Sequence, residues 1–136
     1  MDKEVREFVE SIGAHEPREG DAVYARFRQF FKRLNYFFLN DCLIIVKVSR
    51  TEKPFWGVGK KYIDLLNKLS SPYYLVLLTS GRDGWVFDKH DILHNIDMGY
   101  WKLSSKDENY KINPPLKDRN SFTSPKRFFE IIRMPS

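Results

Sequence analysis

The stretch that most constrains this chain is residues 35–50, NYFFLNDCLIIVKVSR. Residues 36–39 and 42–49 are dense in β-branched and aromatic side chains, and Asn40-Asp41 between them is a two-residue turn signal, so the stretch predicts a β-hairpin. Strand side chains alternate between faces. Leu43, Ile45, Lys47 and Ser49 therefore share one face of the second strand, and Cys42, Ile44, Val46 and Val48 share the other. Lys47 falls where an apolar residue is expected. An ammonium in an apolar site must find compensation, reach water, or give up its proton. A lysine retained there is a candidate functional group.

A second buried strand, residues 73–79, follows a glycine-containing loop at 51–59 and a predicted helix at 60–69. A strand, a crossover helix and a strand in this order place 42–49 and 73–79 side by side and parallel. Residues 85–87 are predicted to return antiparallel after the turn at 80–84. At the N-terminus, Val5, Phe8, Val9 and Ile12 have helical spacing, and Asp21 can cap a second helix to about Arg33. Residues 88–96 read as a short helix or an irregular segment. Residues 100–103 and 110–112 form a peripheral hairpin, 113–122 a linker, and Ser124-Pro125 starts a last helix. The expectation is one α/β (α+β) domain over 1–136: a mixed central sheet flanked by helices within about 19–96, with the hairpin and helix at 100–133.

With 136 residues, 42% hydrophobic and 15% aromatic, the chain has the composition of a folded protein. Its net charge of +5 is concentrated in residues 18–33 and 101–136, which favours an anionic partner such as nucleic acid. Arg26, Arg28, Lys32 and Arg33 lie on the polar face of the second predicted helix, and Lys60 and Lys61 follow Gly57-Val58-Gly59 at a helix start. The phosphate-loop pattern itself fails, because Pro54 and Lys61 stand where glycine and Ser or Thr are required. His90 and His94 have the spacing of metal ligands on a helix but read as surface residues, and no cofactor or metal is assigned. The lone Cys42 excludes an intrachain disulfide, and no apolar run approaches a membrane span, so an intracellular (cytoplasmic) protein with no membrane partner is expected.

The hairpin, crossover and following strand resemble the core of the PD-(D/E)XK nuclease superfamily, the restriction-endonuclease-like fold, in the style of Holliday-junction resolvases. That family carries an aspartate on the first hairpin strand and an acid two residues before a lysine on the second, which together hold magnesium. Lys47 matches the lysine, and Ser49-Arg50 resembles the polar pair that follows it. The acid position holds Ile45 and the aspartate position Asn35, so two anionic ligands are missing. Glu19 or Asp21 could correspond to a helix acid of some members. The resemblance implies a degenerate nuclease that binds nucleic acid, DNA before RNA, through Arg26, Arg28, Lys32, Arg33, Arg50, Lys60 and Lys61. Two alternatives stand beside it. One is a protein-binding module anchored by Trp56, Tyr100 and Trp101. The other is a divergent active endonuclease using magnesium held by other acids.

Overall fold

The structure, a computed structural model, describes residues 2–18, 35–68 and 71–133. β1 (Asn35–Leu39) and β2 (Cys42–Val48) form the predicted hairpin, with Asn35 opposite Val46 and Leu39 opposite Cys42. Asn40 turns the chain at φ 54°, a left-handed conformation that asparagine tolerates. β2 pairs in parallel with β4 (Tyr73–Leu78), Lys47 beside Leu77, as the crossover order requires. β5 (Gly84–Asp88) returns antiparallel to β4, and β8 (Ser121–Phe122) pairs with β5. The resulting five-stranded mixed sheet has the order β1-β2-β4-β5-β8.

Each face of this sheet has its own core, and the alternation along β2 divides them. Ile44 and Val46 join Phe37, Val76 and Leu78 under α1 (Lys3–Ile12). The apolar stripe of α1, Val5, Phe8, Val9 and Ile12, is fully inward, and Gly13 ends the helix at φ 75°. On the same face, α4 (Pro125–Ile132) brings Phe128 against Phe8 and Phe122, with ring centroids 5.3 and 5.4 Å away. Ser124 caps α4 by accepting the Arg127 N–H at 3.2 Å, with Pro125 at the first helical position, as predicted.

The other face carries Leu43, Ile45, Leu75, Leu77 and Phe87. It is covered by α2 (Lys60–Asn67), by α3 (Lys89–Asp97), and by a three-stranded antiparallel sheet ordered β3-β7-β6. β3 is Trp56–Gly59, β6 is Lys102–Leu103 and β7 is Asn109–Ile112. The segment 51–59, expected to be loop throughout, thus contributes a strand. Its pairing with β7 extends the predicted hairpin into a sheet. Gly59 sits at φ −64°, so a left-handed turn is not its reason for being glycine. A Cβ there would crowd the ring of Tyr62. Residues 113–122 are likewise more than a linker: they contain a 3-10 turn, Asp118–Asn120, and β8.

The predicted second helix, with Arg26, Arg28, Lys32 and Arg33, lies outside the described residues, as do Glu19 and Asp21. Among the described residues no helix is long and apolar enough to cross a membrane.

Candidate nucleic-acid interface

The hairpin places Asn35 and Lys47, the positions expected to correspond to the nuclease motif, on different sides of the sheet. Lys47 is half-buried on the face of Ile45 and Leu77, and burial alone pushes its ammonium below the usual lysine range. Ile45 is a core residue packed with Leu75 and Phe87. Asn35 alternates with Phe37 and Leu39 onto the α1 face, opposite to Lys47, so the two do not converge. Ser49 is buried, and its hydroxyl accepts the Phe55 N–H at 3.2 Å and shares a hydrogen bond with Thr51 at 3.1 Å. Its work is to hold the loop that leads to β3.

Of the other predicted cations, Arg50, Lys60 and Lys61 fall among the described residues, and each is engaged. Arg50 donates to Glu4 through Nε at 2.6 Å and Nη2 at 3.2 Å, and meets Asp2 at 3.2 Å, which ties it to α1. That pairing holds the Glu4 carboxyl below its ordinary range and raises Arg50. Lys60 is paired with Asp64 at 2.6 Å, and Lys61 lies over the Tyr62 ring, 5.4 Å from its centroid. Trp56 and Trp101, expected as exposed anchors, are each 2% exposed, packed edge-on against Trp85 and Phe87 respectively. Tyr100 alone of the three is exposed, at 58%. His94 packs edge-on to Tyr100, and among the described residues no three of His, Cys, Asp and Glu converge as a metal set.

The residues that do converge lie around the 3-10 turn. Asp88 caps α3 by accepting the Asp91 N–H at 2.8 Å, and Asp91 returns the bond to the Asp88 N–H at 3.3 Å. The same Asp91 carboxylate accepts from Asn120 Nδ2 at 3.2 Å and pairs with Arg119 at 3.3 Å. Asn120 is buried and also donates to the Val86 carbonyl at 2.9 Å, which locks the turn onto β5. Arg127, on the first turn of α4, donates to the Arg119 carbonyl at 3.4 Å and pairs with Glu130 at 3.6 Å. Arg133 ends α4 at φ 56°. These three arginines line an open polar groove of about 510 Å3 together with the carboxylates of Asp88, Asp91 and Glu130 and with Tyr74 and His90. Burial first, then charge on Cys42 and Asp88, raises the Tyr74 phenol, so it faces the groove as a neutral hydroxyl.

Lys117, which precedes the same turn, lines a smaller cavity of about 210 Å3. Phe87 and Trp101, T-shaped at 5.1 Å, are among its walls, with Tyr100, Asn95, Asn113, Pro115, Leu116 and Lys117. The Trp101 indole N–H is buried and has no acceptor among the described residues.

No family model matches this sequence, and no curated protein or solved structure matches it.

The arginines of the groove were not singled out by sequence. The available signal was the basic excess of residues 101–136. It gave no pattern because Arg119, Arg127 and Arg133 come from a turn, a helix start and a helix end.

Proposed function

We propose that this protein binds nucleic acid through its phosphates without hydrolysing it, its nuclease-like core serving as a binding scaffold. The observation that carries this reading is the meeting of Arg119, Arg127 and Arg133 at one open groove. Guanidinium forks match phosphate oxygens in geometry and charge, and Asp91 and the Asn120 amide hold Arg119 in place before a ligand arrives. Asp88, Asp91 and Glu130 also line the groove, and the positive end of α3 offsets about half an elementary charge at the first two. Lys89, exposed, lines an adjoining cavity with Tyr74, Asp88 and His90.

The nuclease resemblance is supported by the antiparallel hairpin, the parallel β2–β4 pair and the half-buried Lys47. Hydrolysis is disfavoured because a magnesium ion requires several oxygen ligands, and Ile45 and Asn35 supply no carboxylate. This reading puts the protein inside the cell, where the buried thiol of Cys42 stays reduced.

The test is a salt titration of binding to labelled duplex, junction and single-stranded DNA and to RNA, with and without magnesium. The expected result is affinity that falls steeply with salt, DNA bound before RNA, and substrates left intact. Arg119→Ala/Arg127→Ala should flatten the log-log slope by up to ~2 for duplex. Lys60→Ala/Lys61→Ala should change it less, because neither lysine lines the groove. Affinity indifferent to salt in the wild type would overturn the phosphate reading. It would bring forward a protein-binding surface, which the exposed Met98, Tyr100 and Leu103 favour.

A further inference from the structure

We infer that the arginine groove takes a phosphomonoester, the terminal phosphate of a nucleic-acid strand, in preference to the diesters within the strand. The inference rests on the phosphate-binding reading and adds which phosphate is held. It is carried by the charge of the groove, the state of each arginine and the space beside them.

The groove is not simply basic. Arg119, Arg127 and Arg133 share it with Asp88, Asp91 and Glu130, so its formal charges balance, although the start of α3 offsets part of the charge on the two aspartates. A diester carries one negative charge, and when it displaces a carboxylate from an arginine it replaces like with like. A monoester brings about −1.5 to −2 at neutral pH and three acceptor oxygens. Its charge exceeds that of the carboxylate it displaces.

The three arginines differ in what holds them. Arg119 is fixed: its partner Asp91 is 17% exposed and is itself held by the Asn120 amide and the Asp88 N–H. Arg127 is paired at 3.6 Å with Glu130, which is 53% exposed, and exposed pairs of this kind are weak and exchangeable. Arg127 also donates to the Arg119 carbonyl at 3.4 Å, which links it to the turn that carries Arg119. Arg133 is exposed, and its side chain has no hydrogen bond or ion pair among the described residues. A ligand thus meets one arginine already positioned, one unpaired, and one released to an anion stronger than Glu130.

Space for the rest of a terminal nucleotide adjoins the groove. A second cavity, of about 300 Å3, has Tyr74, Asp88 and His90 as walls in common with it, so the two meet where Tyr74 and Asp88 stand opposite one another on β4 and β5. That volume is at the lower end of small-ligand sites and suits one nucleoside. Lys89 also lines it, donating to the Asn67 carbonyl at 3.3 Å and keeping two further donors for the next phosphate of the strand.

The experiment measures binding of a labelled single-stranded 12-mer that ends, at the 5′ or the 3′ side, in a hydroxyl, a phosphate or a methyl phosphate. The methyl ester keeps the phosphate in place and removes one charge. At one of the two ends, wild-type affinity for the phosphate should exceed that for the other two groups by about ten-fold or more. Arg119→Ala/Arg127→Ala alters side chains that are 63% and 42% exposed, so the variant should fold, as circular dichroism will report, and lose this preference. Glu130→Gln opens Arg127 to diesters, so the hydroxyl-ended strand should gain affinity and the preference should narrow. Salt-dependent binding that is equal for all three groups at both ends would overturn the inference and leave the phosphate reading intact. A methyl phosphate bound as tightly as the phosphate would also overturn it, since charge would not decide. A nucleoside monophosphate that binds a protein indifferent to every oligonucleotide would keep the monoester site and remove the nucleic-acid reading. Absence of binding to either would remove both.

Discussion

The indole N–H of Trp56 donates to the backbone carbonyl of Leu78 across 3.2 Å of buried interior, fastening the small sheet to the end of β4. The same carbonyl accepts the Ser49 N–H at 2.9 Å, so it keeps a partner if the indole is lost. Trp56→Phe should therefore cost about 1 kcal/mol for the bond, plus a little for the reduced contact with Trp85. Trp56→Ala should cost about 3–5 kcal/mol, because the ring itself is removed from the core. Denaturant unfolding of both variants checks this, and equal losses would show that the hydrogen bond and not the ring holds the sheets together.

Lys47 makes a prediction whose sign depends on burial. Its ammonium has a lowered pKa in the folded chain, so just below the usual lysine value the unfolded chain binds more protons and stability rises with pH. At neutral pH the folded state carries an unfavourable buried charge, and Lys47→Met should be neutral or stabilising. The difference between variant and wild-type melting temperatures should shrink as pH is raised toward 10.5. A variant that is markedly less stable at pH 7 would mean the lysine has a favourable partner.

Tyr73 acts in the opposite direction over a neighbouring range. Burial, and secondarily the charge of Asp88, push its phenol from 10.0 up to about 12, and its hydroxyl donates to Asn67 at 2.6 Å. Between those values the unfolded chain loses this proton first, so stability is full below pH 10 and falls as pH climbs toward 12. Tyr73→Phe should remove that alkaline loss in urea titrations while forfeiting about 1 kcal/mol of hydrogen bonding at neutral pH.

On the proposed phosphate-binding function, Asn120 joins stability to binding. Removing its amide in Asn120→Ala strips a partner from the Val86 carbonyl and from Asp91, for a cost of about 1–3 kcal/mol. Because Asp91 also orients Arg119, affinity for nucleic acid should fall under conditions where the variant remains fully folded. Circular dichroism and anisotropy on the same samples separate the two effects. An unchanged affinity would mean that Arg119 needs no positioning.

Two glycines should respond differently to alanine. A Cβ on Gly84 would run into the backbone carbonyl of Leu77, which cannot move without disturbing the β4–β5 ladder, so Gly84→Ala should lose about 1–3 kcal/mol or more. At Gly57 the nearest atom to such a Cβ is 3.7 Å away in the Asn109 side chain. Gly57→Ala should be neutral or stabilising by up to about 1 kcal/mol. Paired thermal melts decide between them.

What the sequence made legible was local. The stripe of α1, the Asn40-Asp41 turn, the Ser124-Pro125 cap and the parallel relation of β2 to β4 follow from periodicity, turn chemistry and element order. β3 escaped because it is four residues long with two glycines, and what makes it a strand is β7, supplied from far along the chain. Trp56 and Trp101 were misplaced at the surface for the same reason, since burial by a distant segment leaves no local trace. The motif residues Asn35 and Lys47 looked compatible in spacing, yet alternation along two paired strands puts them on opposite faces. The arginine groove has no spacing to recognise, only an excess of charge in the last part of the chain.

The pairing of Trp56 with Ile112 and of Gly84 with Phe122 fixes when during synthesis the binding surface can exist. Pairings so distant in sequence must close large loops and follow the local hairpin and crossover. A ribosome that has delivered β1 to β5 has exposed a sheet that still lacks β8, α4 and the β6 and β7 strands of the small sheet, and neither Arg119, Arg127 and Arg133 nor the wall formed by Leu116 has yet been made. The nascent chain should therefore ignore the messenger RNA beside it and acquire its partner only after release. Arrested chains ending before Lys102 should bind no oligonucleotide, and binding by such a chain would place the surface in the part of the chain before Lys102 instead.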